Sequence, residues 1–174
     1  MKRIIALLLI LILGFGLSAC GQQEEKIQYP VSFYLLQIPQ NPMNHGSDDS
    51  VITPVVREAF GIRNDLTALL NCYLEDPGTE ETYSPFPIGT SVVAVHFDQD
   101  TVELTLTDEF AQLSGFDLTL ACACMTQTVL DLTGAETVRI RAETEQLDGR
   151  PAITMRRENL VLTDNATQSI DNDR

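Results

Sequence analysis

The 174-residue chain has no tryptophan, only two histidines, and 11 basic residues against 25 acidic ones. Aromatic residues make up 6% of it and hydrophobic residues 44%, so its core must be mainly aliphatic. The shortage of cations excludes nucleic acid as a partner and removes any electrostatic hold on an anionic membrane. Two histidines, His45 and His96, leave little material for proton transfer at neutral pH. The cysteines are Cys20, Cys72, Cys122 and Cys124. None forms a Cys-x-x-Cys pair, and Cys122-Ala123-Cys124 lacks the second ligand pair that zinc requires. With Cys20 set aside the remainder is odd, which argues against a complete disulfide framework; small buried thiols are the better reading. A phosphate-binding glycine loop, a dinucleotide fingerprint and a Gly-x-Ser-x-Gly nucleophile motif are all missing. The chain reads as non-enzymatic, with no cofactor, no metal and no catalytic residue.

What is present begins at the N-terminus. Lys2 and Arg3 precede an aliphatic run from Ile4 to Gly16, which is short of the roughly 18 residues a spanning helix needs. Basic start, apolar run and small-residue site follow the order of a secretory signal. The site itself, Leu17-Ser18-Ala19-Cys20, resembles a bacterial lipobox. That resemblance implies a diacylglycerol thioether on the Cys20 sulfur, cleavage before Cys20, and acylation of the new amine. Losing Lys2 and Arg3 leaves nine basic against 25 acidic residues, a net charge of −16. Such a domain is repelled by anionic lipid, so the acyl chains must hold it, each buried CH₂ contributing about 0.8 kcal/mol. The expected organisation is a signal peptide over 1–19, a lipidated tether over 20–30, a domain over 31–162 and a disordered polar tail over 163–174. Gly21 to Gln28 reaches at most about 25–30 Å when extended, which keeps the domain close to the outer face of the cytoplasmic membrane.

Within the domain, Val31 to Ile38 reads as a strand stopped by Pro39. Val51 to Glu58 reads as a second, confined to an edge or bulge by Pro54. Asn64 is placed to cap a helix with Leu66, Leu69, Leu70, Tyr73 and Leu74 on one face, ended by Pro77-Gly78. Val92 to Phe97 is apolar on both faces, as a central strand would be. It turns through Asp98-Gln99-Asp100 into the alternating strand Thr101 to Leu106. Asp108-Glu109-Phe110 starts a short helical turn. A longer helix from about Asp117 carries Leu118, Cys122, Met125, Val129 and Leu132 on one stripe, with Cys124 on its flank and Gly134 as its cap. Val138 to Glu143 alternates as a strand, and Asp148-Gly149 signals a hairpin into Ala152 to Met155. The order ββ-α-ββ-α-β(β) predicts an α+β fold, one mixed sheet with both helices on one face.

These pieces, in this order, resemble a GerMN domain, the module of sporulation and germination proteins. The resemblance rests on Phe33-Tyr34 in the opening strand, Val55-Val56-Arg57, and the leucine helix running into Asp76-Pro77. It continues through Phe86-Pro87-Ile88-Gly89-Thr90, Glu103 to Phe110, Val138-Arg139-Ile140 and Leu147-Asp148-Gly149. Two features depart from the family pattern. Asp76 stands where a glycine usually precedes the proline, and Leu104 or Thr105 replaces a strand aspartate. The resemblance implies a fold similar to ring-building modules and a scaffold or assembly role in sporulation or germination, through protein partners or self-association. The alternative is a lipoprotein that binds a small ligand or cell wall for a sensor or transporter.

Three groups of side chains merit separate weighing. His45 lies near Asp48 and Asp49, but no nucleophile motif accompanies it, so a hydrolase reading is weak. His96 reads as a core or cross-strand histidine, and the pairs Asp48-Asp49 and Glu80-Glu81 as solvated loop charge. The late arginines Arg139, Arg141, Arg150, Arg156 and Arg157 either pair with Glu143, Glu145 and Glu158 or form a basic interface. Arg139, Arg141, Arg156 and Arg157 are the interface candidates.

Overall fold

The computed structural model describes residues 28–38, 51–60 and 65–160. In chain order it contains strand β1 (Gln28–Gln37), β2 (Ile52–Phe60), helix α1 (Leu66–Leu74), a two-residue β3 (Thr82–Tyr83), β4 (Val92–Asp98) and β5 (Thr101–Leu106). A 3-10 turn (Asp108–Gln112), helix α2 (Gly115–Thr133), β6 (Thr137–Ala142), β7 (Ile153–Arg156) and a last 3-10 turn (Arg157–Asn159) complete it. The predicted lipobox, tether cysteine, His45 loop and C-terminal tail lie outside the described residues.

The α+β class holds, but the strands form two sheets rather than one: β2-β1-β3 and β4-β5-β6-β7. The reason is visible at Tyr34. Its backbone N–H donates to Thr128 Oγ1 of α2 at 3.0 Å, and its carbonyl accepts from the Tyr73 hydroxyl of α1. Helix side chains therefore occupy the ladder positions that a neighbouring strand would need, and the first sheet stops there. Residues directly opposite in an antiparallel pair turn their backbone groups either toward each other or both outward, and those of Tyr34 turn outward. Tyr34 is paired with Pro54, so the missing proline N–H falls on the outer edge of β2, an edge strand as predicted.

Helix α2 is the centre of the molecule. It packs against β1 of the first sheet and against β6 and β7 of the second. Being covered on two sides, it buries Leu118, Cys122, Met125 and Val129 of the predicted stripe and also Cys124, which the stripe left on a flank. It is also the crossover between β5 and β6, which run parallel, a connection that needs a long intervening segment. Gly134 closes the helix in the left-handed region at φ 72°. Asp65 caps α1, its side chain accepting from the Ala68 N–H; Asn64, the predicted cap, is outside the described residues.

Strand β4 is an edge, contrary to the central position expected. Among the described residues its one strand neighbour is β5, and Val93 and Phe97 remain exposed. The inner side chains of β5 and β6 (Val102, Leu104, Val138 and Ile140) are fully buried. Their alternates Glu103, Arg139 and Arg141, in register across the two strands, point to an outer face without a helix over it among the described residues. The two-residue turn between β4 and β5 takes Gln99 to φ 51°. At the later turn Asp148 and Gly149 both have positive φ, and Leu147 and Arg150 exchange two backbone hydrogen bonds across it.

Cysteine placement gives an early prediction. Cys72 was expected to face inward with Cys122, but it is exposed. It lies two residues from the buried Leu70, roughly 200° round the helix. Cys122 and Cys124 are buried, and desolvation pushes the Cys122 thiol up to about 12 and Cys124 higher still. Thiolate is the reactive form. At pH 8 the folded protein should take one maleimide rapidly, at Cys72, with the helix pair labelled only in denaturant. Peptide mass mapping reads this directly, and labelling of Cys122 or Cys124 without unfolding would contradict the packing.

Candidate functional site

The motif residues are structural in the first instance. Phe33, Tyr73, Phe86 and Phe110 form a continuous aromatic series, with ring centroids 5.0, 5.1 and 6.4 Å apart. It ties β1, α1, the loop before β4 and the 3-10 turn into one core. Phe110 is fully buried. Burial holds the Tyr73 phenol protonated by raising its pKa well above the usual value, so its hydroxyl is a permanent donor to the Tyr34 carbonyl.

A second cluster joins Arg57 and Asp76, which belong to separate motifs in the sequence. Arg57 on β2 donates from Nε to Asp76 Oδ2 at 2.7 Å and from Nη2 to Asp76 Oδ1 at 3.1 Å. Nη2 also reaches the Gly78 carbonyl, and the Gly78 N–H returns a bond to Asp76 Oδ1 at 2.8 Å. This is a bidentate pair that locks the exit of α1 onto β2. The hydrogen bond to Asp76 raises the Arg57 pKa. Gly78 sits at φ 96°, and an added Cβ would lie 2.2 Å from the Thr82 carbonyl oxygen, so only glycine fits. The departure of Asp76 from the family pattern thus has a partner, and the partner is the arginine of another motif. Beside the pair lies a mostly apolar cavity of about 600 Å³, lined by Val31, Phe33, Ala59, Leu69 and the exposed Cys72.

The interface arginines are divided by the topology. Arg139 and Arg141 stand on the outer face of the second sheet, and both approach Glu103, at 3.9 and 3.4 Å. Arg141 Nε also donates to Thr105 Oγ1. Arg156 pairs with Glu158 at 3.7 Å. Arg157 instead turns to α2, with Nη2 2.7 Å from Asp131 Oδ1. Of the predicted carboxylate partners only Glu158 is used. Glu103 takes the place of Glu143 and Glu145 because parallel pairing sets Glu103 beside Arg139. His96 is exposed and lies opposite Glu103; of the two positions expected for it, core or cross-strand, it takes the cross-strand one. Exposed pairs of this kind contribute about 0–1 kcal/mol each.

Asp108 fastens the segment after β6. Its carboxylate accepts from the Thr144 hydroxyl and from the N–H groups of Thr144 and Glu145, which lowers its pKa. Glu80 and Glu81 are exposed. Among the described residues no group of three His, Cys, Asp or Glu is arranged to hold a metal ion, and no helix is long and apolar enough to cross a membrane.

One concavity was not legible in the sequence. It is a groove of about 1030 Å³ between β1, the start of α1 and the end of α2, lined among others by Ser32, Leu66, Leu69, Phe97, Leu130 and Arg157. At one end Asp131 accepts from both the Tyr34 hydroxyl and Arg157.

Comparison with known proteins agrees with this architecture. No curated protein matches the chain. Among solved structures it is similar to the tandem GerMN domains of the sporulation protein GerM from Bacillus subtilis. Identity is 15% and the TM-score 0.55, with 77% of this chain and 47% of that chain covered, so it spans less than half of the tandem structure. A candidate lipoprotein from Clostridium perfringens is similar at 14% identity and a TM-score of 0.43, with 75% and 89% covered. The family model Germane, described as sporulation and spore germination, matches residues 33–148. With that match running from Phe33 in β1 to Asp148 in the closing turn, the chain belongs to the Germane family of sporulation and spore germination.

Proposed function

We propose that this protein is a lipid-anchored, non-enzymatic assembly factor of sporulation or germination on the outer face of the cytoplasmic membrane. Cys20 carries the anchor, and the outer face of the β4-β5-β6-β7 sheet meets a protein partner or a second copy. The observation that carries the reading is that face. It has no helix over it among the described residues, and it presents Arg139 and Arg141 with side chains 50% and 46% exposed. The chain as a whole is at −14. A locally basic patch on an acidic protein orients an acidic partner and disfavours other approaches. The cavity beside Arg57 and Cys72 supports a second reading, in which the protein binds a small apolar ligand.

Charge reversal tests the first reading. Arg139→Glu with Arg141→Glu should leave circular dichroism unchanged and remove the crosslinked complex from membranes of sporulating cells. An unaltered complex would refute the interface. Cys20→Ala reads out the anchor separately: lipid labelling and precursor processing are lost and the protein leaves the membrane fraction. Normal lipid incorporation in that variant would dismiss the anchor.

A further inference from the structure

Alternate residues of β1 turn their backbone groups to opposite edges. The Gln37 N–H bonds to Val51 on the β2 side, while the Ile38 N–H bonds to the Glu81 carbonyl on the β3 side. The residues that face away from β2 are therefore 30, 32, 34 and 36. Position 36 is paired with Tyr83 of β3, and Tyr34 is satisfied by Thr128 and Tyr73. Ser32 N–H and C=O and the Pro30 carbonyl have no strand partner among the described residues, and both residues line the 1030 Å³ groove. Two of the three groups are acceptors and one is a donor. Ser32 is half-buried and Pro30 exposed, so these groups are open to water or to an incoming chain.

We propose that this groove receives an extended peptide from a protein partner, which adds to β1 as a further strand in line with β3. Three observations favour a peptide over other occupants. The same edge already accepts a strand, since β3 pairs antiparallel to it at Leu36 and Gln37. The open backbone groups repeat at two-residue spacing, which matches a strand's own alternation of bonded residues. The groove wall sets the apolar Leu66, Leu69, Leu130 and the 57%-exposed Phe97 beside the polar Asp131, Thr133 and Arg157, a mixed lining that suits a peptide. Backbone bonds at Ser32 would supply affinity, and alternate side chains dropping against Phe97 and Leu66 would supply selectivity for aliphatic residues. At about 1030 Å³ the groove lies at the upper limit of small-molecule sites, which run roughly 300–1,000 Å³. Pro30 offers no donor, so the addition is short and centred on Ser32. A short pairing suits a reversible contact and limits uncontrolled edge-to-edge association.

The test uses the full mature chain and a blocked, uncharged heptapeptide in which threonine alternates with valine and leucine. In the free protein the Ser32 amide should exchange rapidly with solvent, and peptide should slow it. N-methylation of alternate peptide nitrogens removes the pairing edge and should weaken binding by about tenfold or more. Ser32→Pro replaces the outward N–H by a ring carbon without touching the β2 ladder and should have a similar effect; Phe97→Ser, at an exposed position, should weaken binding through the apolar part of the wall. Arg139→Glu with Arg141→Glu should leave peptide binding unchanged, which separates this groove from the sheet face. Absence of binding, or equal affinity for the N-methylated peptide, would overturn the proposal. So would slow Ser32 exchange in the free chain: at all concentrations it would show the edge covered by the protein's own chain, and only at high concentration by a second copy.

Discussion

Replacing Tyr73 with alanine should cost about 3–5 kcal/mol, the usual range for emptying a buried aromatic site. That is a large part of the roughly 5–15 kcal/mol that holds a domain folded. Tyr73 has no exposed surface and is in ring contact with both Phe33 and Phe86, so its removal opens the series in the middle. Its hydroxyl has a second, separable role, because it closes the backbone of Tyr34 at the end of the strand-like edge. Tyr73→Phe keeps the ring and leaves that carbonyl without a partner, at a cost of about 1–3 kcal/mol. Urea denaturation of both variants resolves the two contributions. If Tyr73→Phe matched the parent protein, the helix hydroxyl would not be what terminates the first sheet. Thr128→Val tests the same edge from α2 and should destabilise in the same direction.

The second large effect lies at Arg57 and Asp76, and it is asymmetric. Asp76 is buried while the Arg57 side chain is 33% exposed. Arg57→Met therefore strands a carboxylate in the interior, whereas Asp76→Asn leaves a cation that still reaches water. Breaking a buried pair from one side costs about 3–5 kcal/mol, and the exposure of Arg57 places this pair toward the lower end. Arg57→Met should be the worse single variant, and the two together should cost less than their sum, with a coupling of roughly 0.5–3 kcal/mol. Hydrogen exchange at the Gly78 amide gives the local readout, because that N–H bonds directly to Asp76. Additive losses, or an unchanged Gly78 amide, would mean that the pair does not hold the α1 exit. The same variants should alter access to Cys72, which shares the adjoining cavity.

Both predictions involve residues whose importance was only partly legible beforehand. Phe33, Phe86 and Phe110 were picked out one by one as motif members, and their burial was foreseeable from their surroundings in the chain. That Tyr73 links them requires α1 to lie across β1. Arg57 and Asp76 were both noticed, the first as part of a motif and the second as a departure from one. Their bond spans 19 positions and no local rule connects them. The arginines show the same limit: the sequence suggested carboxylates nearby in the chain, but Glu103 is the partner of Arg139 and Arg141 because β5 and β6 run parallel.

What the chain determined by itself is what periodicity and backbone chemistry encode. Alternation in 101–106 and 137–142, the leucine stripe of α1, the glycine stop at 134 and the Asp148-Gly149 turn each follow from residues within a few positions of one another. The α+β class follows from their order. Only the tertiary structure decided which strands became edges, because pairing depends on what reaches the other side. Apolar side chains on both faces of β4 are compatible with a centre or an edge, and among the described residues β5 alone pairs with it. Likewise, one sheet became two because buried hydroxyls of α1 and α2 satisfy β1 where a strand would otherwise have paired. The same event left the Ser32 edge open, and with it the groove.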